Sequence, residues 1–256
     1  MSDYHTPVLL KEAVDYLNVL PGRKYVDATL GGGGHALEIK LRGGMVLGID
    51  QDQEAVNYSK KYVDCAVMSN FAHLEEIVEA NNWYPVSGVL MDLGISMHQM
   101  TTPERGFSYQ ADGPLDMRMG DTAVIAAELV NQLTIRQLTS LLRDYGEIPS
   151  AKILAKKIVS SRPLTTTGQL VNICGKWSQQ VFQALRITVN DELGVLIQTI
   201  PQVKNILNSG GRAVFICFHS LEDRIIKNQF KTWGQALTKK PILGERGSKL
   251  RAYQKI

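Results

Sequence analysis

The chain has 256 residues, of which 44% are hydrophobic and 21% charged, a composition typical of a folded globular protein and not of a disordered one. No apolar run approaches the roughly 20 residues of a membrane-spanning helix, and the N-terminus lacks a secretory pattern, so we expect a cytoplasmic protein without membrane association. The net charge of +3 is uneven: residues 224–256 hold nine Lys or Arg and one acid, giving +8 against −5 elsewhere, which fits a polyanionic partner or a solvated tail.

The first hundred residues alternate predicted helices and strands. The segment TPVLLKEAVDYL is typical of a helix, with Thr6 as its N-cap and Pro7 at the first helical position. Asp52 is expected to cap a second helix, and another is predicted from Phe71 onward. Strands are predicted at 25–27, 45–50, 65–69 and 86–96. This alternation predicts βαβ units and a mostly parallel, twisted sheet.

The pattern changes between Thr102 and Arg186, where no strand is predicted. Helices are expected at 122–133, at 134–146 with Thr134 as the cap and Gly146 as the stop, and at 150–161. Strand-like sequence resumes at 210–220, followed by a helix from Ser220 and a closing edge strand at 248–256. We therefore predict an α/β domain in two pieces, 1–101 and 187–256, with an inserted all-helical domain at 102–186.

A glycine-rich segment, DATLGGGGHA, follows the first predicted strand and begins a helix. Such a turn brings the backbone and the positive helix end close to a bound cofactor, and Asp50 ends the next strand where ribose hydroxyls would lie. Together they indicate a nucleoside-containing cofactor, either NAD(H) or S-adenosylmethionine. The second is favoured because Ala36 replaces the third glycine, the insertion follows the fourth strand, and no dehydrogenase-type Tyr–Lys pair occurs.

Asp92 ends the fourth predicted strand at the ligand-binding edge of such a sheet. An exocyclic amine is a poor nucleophile, and an acceptor that holds its hydrogens directs its lone pair toward a methyl donor. The alternative is that Asp92 caps the strand and contacts only the cofactor. Ser220 likewise either lies near a reacting base or caps a helix in a capping box with Asp223.

Further motifs indicate a similarity to known proteins that goes beyond a shared fold class. They are ERGFSY, DGPLDMRM, DYGE, FQALRITVNDEL, FHSLEDRIIK and SKLRA, in this order after DATLGGGGH and MDLGIS. In order and spacing the chain closely resembles the bacterial 16S ribosomal RNA cytosine-N4 methyltransferase family, also called MraW, over essentially its whole length. The resemblance implies a class I (Rossmann-like) S-adenosylmethionine-dependent methyltransferase with an inserted helical domain. It also implies methylation of the N4 amine of cytosine 1402 in the decoding centre of the small ribosomal subunit.

The resemblance also implies roles for individual residues. Gly31, Gly33, Gly34 and His35 would bind the methionine end of the cofactor, Asp50 its ribose, and Phe71 its adenine, with Asp92 and Gln99 completing the pocket. Catalysis is assigned to Asp92, Ser96, His219 and Ser220. RNA phosphates are assigned to Arg105, Arg118, Lys152, Lys156, Lys157, Arg186, Arg224, Lys249 and Arg251, with Arg162 as a further basic residue of the insertion. Asp116 and Arg118 have a simpler interpretation as a surface ion pair.

Several alternatives and departures accompany this interpretation. Cys65, Cys174 and Cys217 lie in no nucleophile motif, so carbon-5 chemistry is not expected. No metal is expected either, because the acids near His98 match no ligand spacing. A nicotinamide-dependent oxidoreductase and a non-catalytic RNA-binding assembly factor are the rival functions, and a monomer or a homodimer fits equally well.

The chain departs from the family pattern after Ser96. The usual second Ser, Pro and Asp are replaced around Met97, His98 and Met100, which leaves their role in placing the base in doubt. The segment before Ser248 is also short.

Overall fold

The computed structural model describes residues 7–256. In chain order the helices are α1 (Leu10–Leu17), α2 (Gly34–Leu41), α3 (Gln53–Ser59), α4 (Leu74–Ala80), α5 (Met97–Thr101), α6 (Ala126–Gln132), α7 (Ile135–Asp144), α8 (Ala151–Ser160), α9 (Thr167–Cys174), α10 (Ser178–Asn190), α11 (Glu192–Ile206) and α12 (Ser220–Phe230). The strands are β1 (Lys24–Asp27), β2 (Met45–Asp50), β3 (Cys65–Met68), β4 (Val86–Asp92), β5 (Leu207–Cys217), β6 (Gly234–Ala236), β7 (Ile242–Leu243) and β8 (Lys249–Lys255).

The chain divides into two compact units. The sheet unit comprises Met1–Gly94 and Leu193–Ile256, and the helical unit comprises Ile95–Glu192. The sequence placed these boundaries at 101/102 and 186/187, so the helical unit extends further at both ends. Of the helices described, none has the length and apolar character needed to cross a membrane.

The sheet unit is built on one mixed sheet with strand order β3-β2-β1-β4-β5-β8-β6, and β7 also pairs with β8. Strands β1 to β5 are parallel, which confirms the predicted α/β architecture. The closing strand β8 is antiparallel to β5 and to β6. The prediction that it forms an edge was wrong, because β6 and β7 pair with its outer side.

Both faces of this sheet are covered by helices. Alternate strand residues such as Val89 and Phe215 pack under α4, α11 and α12 on one face. Leu90 and Val214 point the other way, under α1 and α2. Burial on both faces explains why the strand sequences are apolar nearly throughout and show no polar alternation.

Helix boundaries follow local capping chemistry. The Asp52 side chain accepts a hydrogen bond from Glu54 N, and Thr134 forms a capping box with Gln137, which confirms both predicted caps. Gly146 directly follows the C-cap of α7, where a Cβ would lie 2.7 Å from Leu142 O. The first helix was predicted too long, since α1 begins only at Leu10; Thr6, the expected cap, lies outside the described residues.

The helical unit has its own core. Side chains from α6, α7, α8, α9 and α10 bury one another together with Phe107, Leu115 and Met117 from the preceding loop. Its one described β contact is an isolated bridge between Pro114 and Thr166, which confirms that this region contains no strand.

Candidate cofactor and active site

Three neighbouring strands of the sheet unit end in an acidic residue. Asp27 ends β1, Asp50 ends β2 and Asp92 ends β4, so their side chains lie at the carboxyl edge of the parallel sheet. The strand order reverses between β1 and β4, and ligands of open α/β sheets bind beside that reversal. The sequence predicted Asp50 and Asp92 here but gave Asp27 no role, although it shows the same pattern of an acid ending an apolar strand.

The glycine-rich loop is fixed between β1 and α2. Gly31 N donates a hydrogen bond to Asp50 Oδ2 at 2.8 Å, and Ser59 Oγ donates one to Gly31 O at 2.6 Å. Gly33 has a φ of +73°, and a Cβ there would lie 2.8 Å from the ring of Tyr62. The loop therefore requires glycine for its own backbone conformation and packing, apart from any ligand.

The Asp50 carboxylate is partly satisfied by the backbone. Besides the bond from Gly31, its Oδ1 accepts one from Asp52 N at 2.9 Å. Burial raises its pKa to about 6, against the effect of these hydrogen bonds. The backbone N–H of Gln51 is a third donor to this carboxylate. Because its two oxygens together can accept four hydrogen bonds, one acceptor site is left for a ribose hydroxyl.

Asp27 is buried and Asp92 is largely buried, with 11% of its side chain exposed, and both are incompletely satisfied. Asp27 is 1% exposed, and burial raises its pKa to about 8. Burial, followed by the nearby charges of Asp27 and Glu222, raises the pKa of Asp92 well above its usual range. Within the described part of the chain, Asp27 Oδ2 and Asp92 Oδ1 have no hydrogen-bond partner. A buried polar atom without a partner is costly, so these two atoms are suited to a polar or cationic ligand.

His35 and Phe71 lie in the same unit. The His35 ring is 4% exposed, with Nε2 3.2 Å from Val8 O and Nδ1 3.9 Å from Asp92 Oδ2. The second distance is too long for a direct hydrogen bond. Phe71 begins a 3₁₀ turn before α4 and is half-buried against the core, which leaves part of its ring exposed.

The structure assigns the cap of α12 to His219 and not to Ser220. His219 Nδ1 accepts from Glu222 N at 3.4 Å, and Glu222 Oε2 accepts from Phe218 N at 2.8 Å and from His219 N at 3.3 Å. His219 Nε2 lies 3.2 Å from Glu222 Oε1, outside hydrogen-bond geometry. The predicted capping box was thus displaced by one residue. The His219 ring thus caps α12 through Nδ1, whereas its buried Nε2 has no hydrogen-bond partner among the described residues.

Ser96 and Gln99 belong to the helical unit, where they form a capping box on α5. Ser96 Oγ accepts from Gln99 N at 3.2 Å, and Gln99 Oε1 accepts from Ser96 N at 3.0 Å. Gln99 is 5% exposed. Their polar atoms therefore stabilise the start of α5, and the spacing Ser-x-x-Gln is typical of such a capping box.

Several basic residues assigned to RNA in the helical unit have protein partners. Arg118 makes a two-pronged ion pair with Asp116 at 2.8 and 2.7 Å, the simpler interpretation of that motif. Arg186 pairs with Glu192 at 2.7 and 3.0 Å. Arg162 donates to Val130 O at 2.6 Å at the end of α6. These guanidinium groups stabilise the helical unit. Because they already have protein partners, they are poor candidates for phosphate ligands.

The α8 lysines differ from these arginines. Lys152, Lys156 and Lys157 are exposed on the outer face of α8, and within residues 7–256 none of them has an ion-pair or hydrogen-bond partner. Arg105 donates to the carbonyl oxygens of Arg118 and Met119 at 3.2 and 3.4 Å. The three lysines therefore form the best-defined cationic surface of this unit.

Of the basic residues assigned in the sheet unit, Arg251 does not fit RNA contact. It is 9% exposed, and its guanidinium pairs with both carboxylate oxygens of Asp223, which lowers the pKa of that carboxyl. Arg224 is exposed on α12, and Lys249 is half-buried at the start of β8. Arg251 thus ties β8 to α12, whereas the other two remain candidates for phosphate contact.

The donor set of the carboxyl edge fits S-adenosylmethionine. Asp50 has free acceptor capacity for a ribose, and the unpartnered Asp27 Oδ2 can contact a polar group of the cofactor. Bound there, S-adenosylmethionine supplies an electrophilic methyl group.

Comparison with known proteins agrees with this assignment. Residues 2–243 match the model of the MraW methylase family. The chain is 44% identical over 244 residues to ribosomal RNA small subunit methyltransferase H of Cytophaga hutchinsonii, covering 88% of this chain and 82% of that protein. It is 43% identical over 256 residues to the protein of the same name from Clostridioides difficile, covering 90% and 82%.

Solved structures show the same fold at low identity. A provisionally assigned rRNA methylase from Clostridium thermocellum superposes with a TM-score of 0.51 at 14% identity, covering 98% of this chain and 99% of that one. SMU.1697c of Streptococcus mutans, solved in complex with SAH, gives 0.50 at 12% identity with the same coverage. The predicted Rossmann-like α/β fold is thus confirmed, and the chain belongs to the MraW methylase family.

Proposed function

We propose that the chain transfers the methyl group of S-adenosylmethionine to the N4 amine of a cytosine in small-subunit ribosomal RNA, cytosine 1402 of the decoding centre. The family and the names of its relatives support a small-subunit rRNA substrate. The structural observation that carries the N4 assignment is the unpartnered, buried Asp92 Oδ1 at the strand reversal.

Asp92 provides the acceptor that amine methylation needs. Its Oδ1 accepts a hydrogen bond from N4–H, which turns the nitrogen lone pair toward the methyl group and away from conjugation with the ring. Transfer of the methyl group breaks its bond to sulfur, which keeps the electron pair, and forms the N–C bond. Nitrogen then carries a surplus proton, which the ionised Asp92 Oδ1 would take. The raised pKa of this carboxyl makes its ionised form a stronger base than an ordinary aspartate.

The cysteine thiols do not support carbon-5 methylation, which needs a thiolate nucleophile. Burial raises the pKa of Cys174 and of Cys217 far above the usual range, and the pKa of Cys65 is raised as well. Each thiol therefore stays protonated at neutral pH. Cys217 ends β5 beside Asp92, but it is fully buried and its Sγ donates to Lys249 O at 3.3 Å.

Cationic surfaces hold the RNA backbone in this proposal. Lys152, Lys156 and Lys157 on α8 contact phosphates through the helical unit, and Arg224 and Lys249 do so from the sheet unit. Phosphate contacts of this kind give affinity that falls with salt concentration and carry no sequence preference.

The test uses small ribosomal subunits from cells that lack the endogenous methylase. They are incubated with the purified chain and methyl-labelled S-adenosylmethionine, and nucleosides from digested rRNA are identified by mass spectrometry. We expect N4-methylcytidine with the wild type, and about 100-fold slower formation with Asp92→Asn, because the amide cannot take the proton. Asp64→Asn, which removes a surface carboxylate, is the matched control and retains the wild-type rate.

Two results would contradict the proposal. A label on carbon 5 or on a ribose hydroxyl would refute the N4 assignment. Tight binding of subunits and S-adenosylhomocysteine without any labelled product would favour the non-catalytic assembly factor.

A further inference from the structure

An arginine of the basic C-terminal segment, Arg246, lies at the same sheet edge as the three acids. Strand β8 is antiparallel to β5, and Lys249 at its start pairs with Cys217 at the end of β5. Asp92 pairs with Ile216 in the same register. The 3₁₀ turn Glu245–Gly247, which Ser248 joins to β8, therefore extends from the carboxyl edge of the sheet.

This turn is rigidly built. Ser248 is fully buried; its N donates to Glu245 O at 3.0 Å and its Oγ to the same oxygen at 2.7 Å. Gly244 N donates to Ser248 O at 3.0 Å, and a Cβ on Gly244 would lie 2.5 Å from Leu9 Cγ. The turn is thus closed by hydrogen bonds from within and packed against the N-terminal segment.

Arg246 occupies the tip of the turn in the left-handed region, with φ 56° and ψ 24°. A residue with a Cβ adopts this conformation at a cost, and persists in it only where the surroundings enforce it. The side chain is exposed, and within residues 7–256 no hydrogen bond or ion pair engages its guanidinium. It is nevertheless near enough to Asp92 to lower the pKa of that carboxyl, whereas burial, Asp27 and Glu222 raise it.

The electrostatic setting shows why a cation is needed here. Asp50, whose pKa of about 6 leaves its carboxyl largely ionised at neutral pH, lies at this sheet edge, and an RNA backbone that approaches it meets unfavourable charge. Arg251, the other arginine near this turn in the sequence, pairs with Asp223. A guanidinium free to bind two phosphate oxygens at once matches the missing interaction.

We propose that Arg246 binds a backbone phosphate of the target nucleotide and thereby seats its base over Asp92. This role rests on the proposed function, since it presupposes an RNA substrate. Arg246 is a positioning residue: it touches the backbone of the substrate and takes no part in bond making at N4.

The experiment compares Arg246→Ala, Arg246→Lys and Lys231→Ala with the wild type. Lys231 belongs to the same basic segment but lies at the C-terminal end of α12, so its substitution removes one positive charge away from the carboxyl edge. Small subunits lacking the modification serve as the probe. KM, kcat, filter-binding affinity at several KCl concentrations, and affinity for S-adenosylhomocysteine are measured.

For Arg246→Ala we expect KM to rise about tenfold with kcat within about twofold, and the salt dependence of binding to flatten by about one ion. Affinity for S-adenosylhomocysteine stays at the wild-type value. Arg246→Lys recovers part of the loss, because it keeps the charge but not the two-pronged geometry. Lys231→Ala behaves as the wild type.

Two outcomes would overturn the inference. One is a KM and a salt dependence of Arg246→Ala equal to those of Lys231→Ala. The other is a loss of kcat or of S-adenosylhomocysteine affinity with KM unchanged, which would assign Arg246 to Asp92 or the cofactor.

Two further controls keep the test decisive. If Arg246→Ala unfolds at a lower temperature than the wild type, the lysine variant decides between these outcomes. A wild type that yields no N4-methylcytidine refutes the proposed function, whereas the filter-binding comparison still tests Arg246 separately.

Discussion

Replacing Asp27 by Asn should change how the stability of the protein depends on pH. This carboxyl is 1% exposed, its Oδ2 has no partner among the described residues, and burial raises its pKa from 3.8 to about 8. A raised pKa means that folding favours the protonated form. The stabilisation is therefore complete below the unfolded pKa of 3.8 and is lost as the pH rises toward 8.

The size of the effect follows from that difference. Between pH 4 and 7 the unfolded carboxyl is ionised while the folded one stays largely protonated, which costs the wild type roughly 4 kcal/mol of unfolding free energy across this range. Asparagine has no such titration. The stability of Asp27→Asn relative to the wild type should therefore rise steadily from pH 4 to 8 and level off above.

Urea unfolding followed by circular dichroism between pH 4.5 and 8.5 measures both curves. Asp64→Asn serves as control: burial raises the pKa of Asp64, but hydrogen bonds from Lys40 Nζ and Val46 N outweigh it and lower the pKa overall. That carboxyl is ionised throughout this range in both states, so its variant should run parallel to the wild type. Parallel curves for Asp27→Asn would show that Asp27 is ionised in the folded protein and would refute the reasoning.

Two further substitutions separate structural from ligand-binding roles. Arg251→Ala leaves Asp223 without its partner in a largely buried position, so we expect the free energy of unfolding in urea to fall by about 3 kcal/mol. The salt dependence of RNA binding should not change. A flatter salt dependence would show that Arg251 is a phosphate ligand after all. Gly33→Ala forces a Cβ to 2.8 Å from Tyr62 at a φ of +73°, so we expect at least tenfold weaker S-adenosylhomocysteine binding by calorimetry, and unchanged affinity would show that the loop adapts.

The parts of the fold that depend on local pattern were predictable from the sequence. Apolar strands ending in Asp50 and Asp92, and caps at Asp52 and Thr134, follow from residues close together in the chain. The position of β8 was not predictable, because short strands such as β6 and β7 carry too little pattern to reveal that they cover its outer side.

Prediction of the functional site from the sequence meets the same limit. The sequence indicates which residues are basic, but pairing across the fold decides which of them remain available, as Arg251 and Asp223 show. The cap at His219 was missed because histidine is an uncommon cap, although Glu222 three residues later carries the signal of a capping box. Asp27 stands out only once its burial and its unpartnered oxygen are known.

The antiparallel insertion of β8 also constrains how the protein is made. Strand β5 contributes Val214 and Ile216 to the core, yet its outer hydrogen-bonding edge is covered only by residues 249–254, more than thirty positions later in the chain. When β5 has left the ribosome but β8 has not, the nascent chain exposes an apolar strand with an open edge. Such an edge can pair with strands of other chains. The turn that carries Arg246 takes its position only when β8 pairs with β5. A nascent chain therefore has to complete the sheet before Arg246 can bind RNA at this edge.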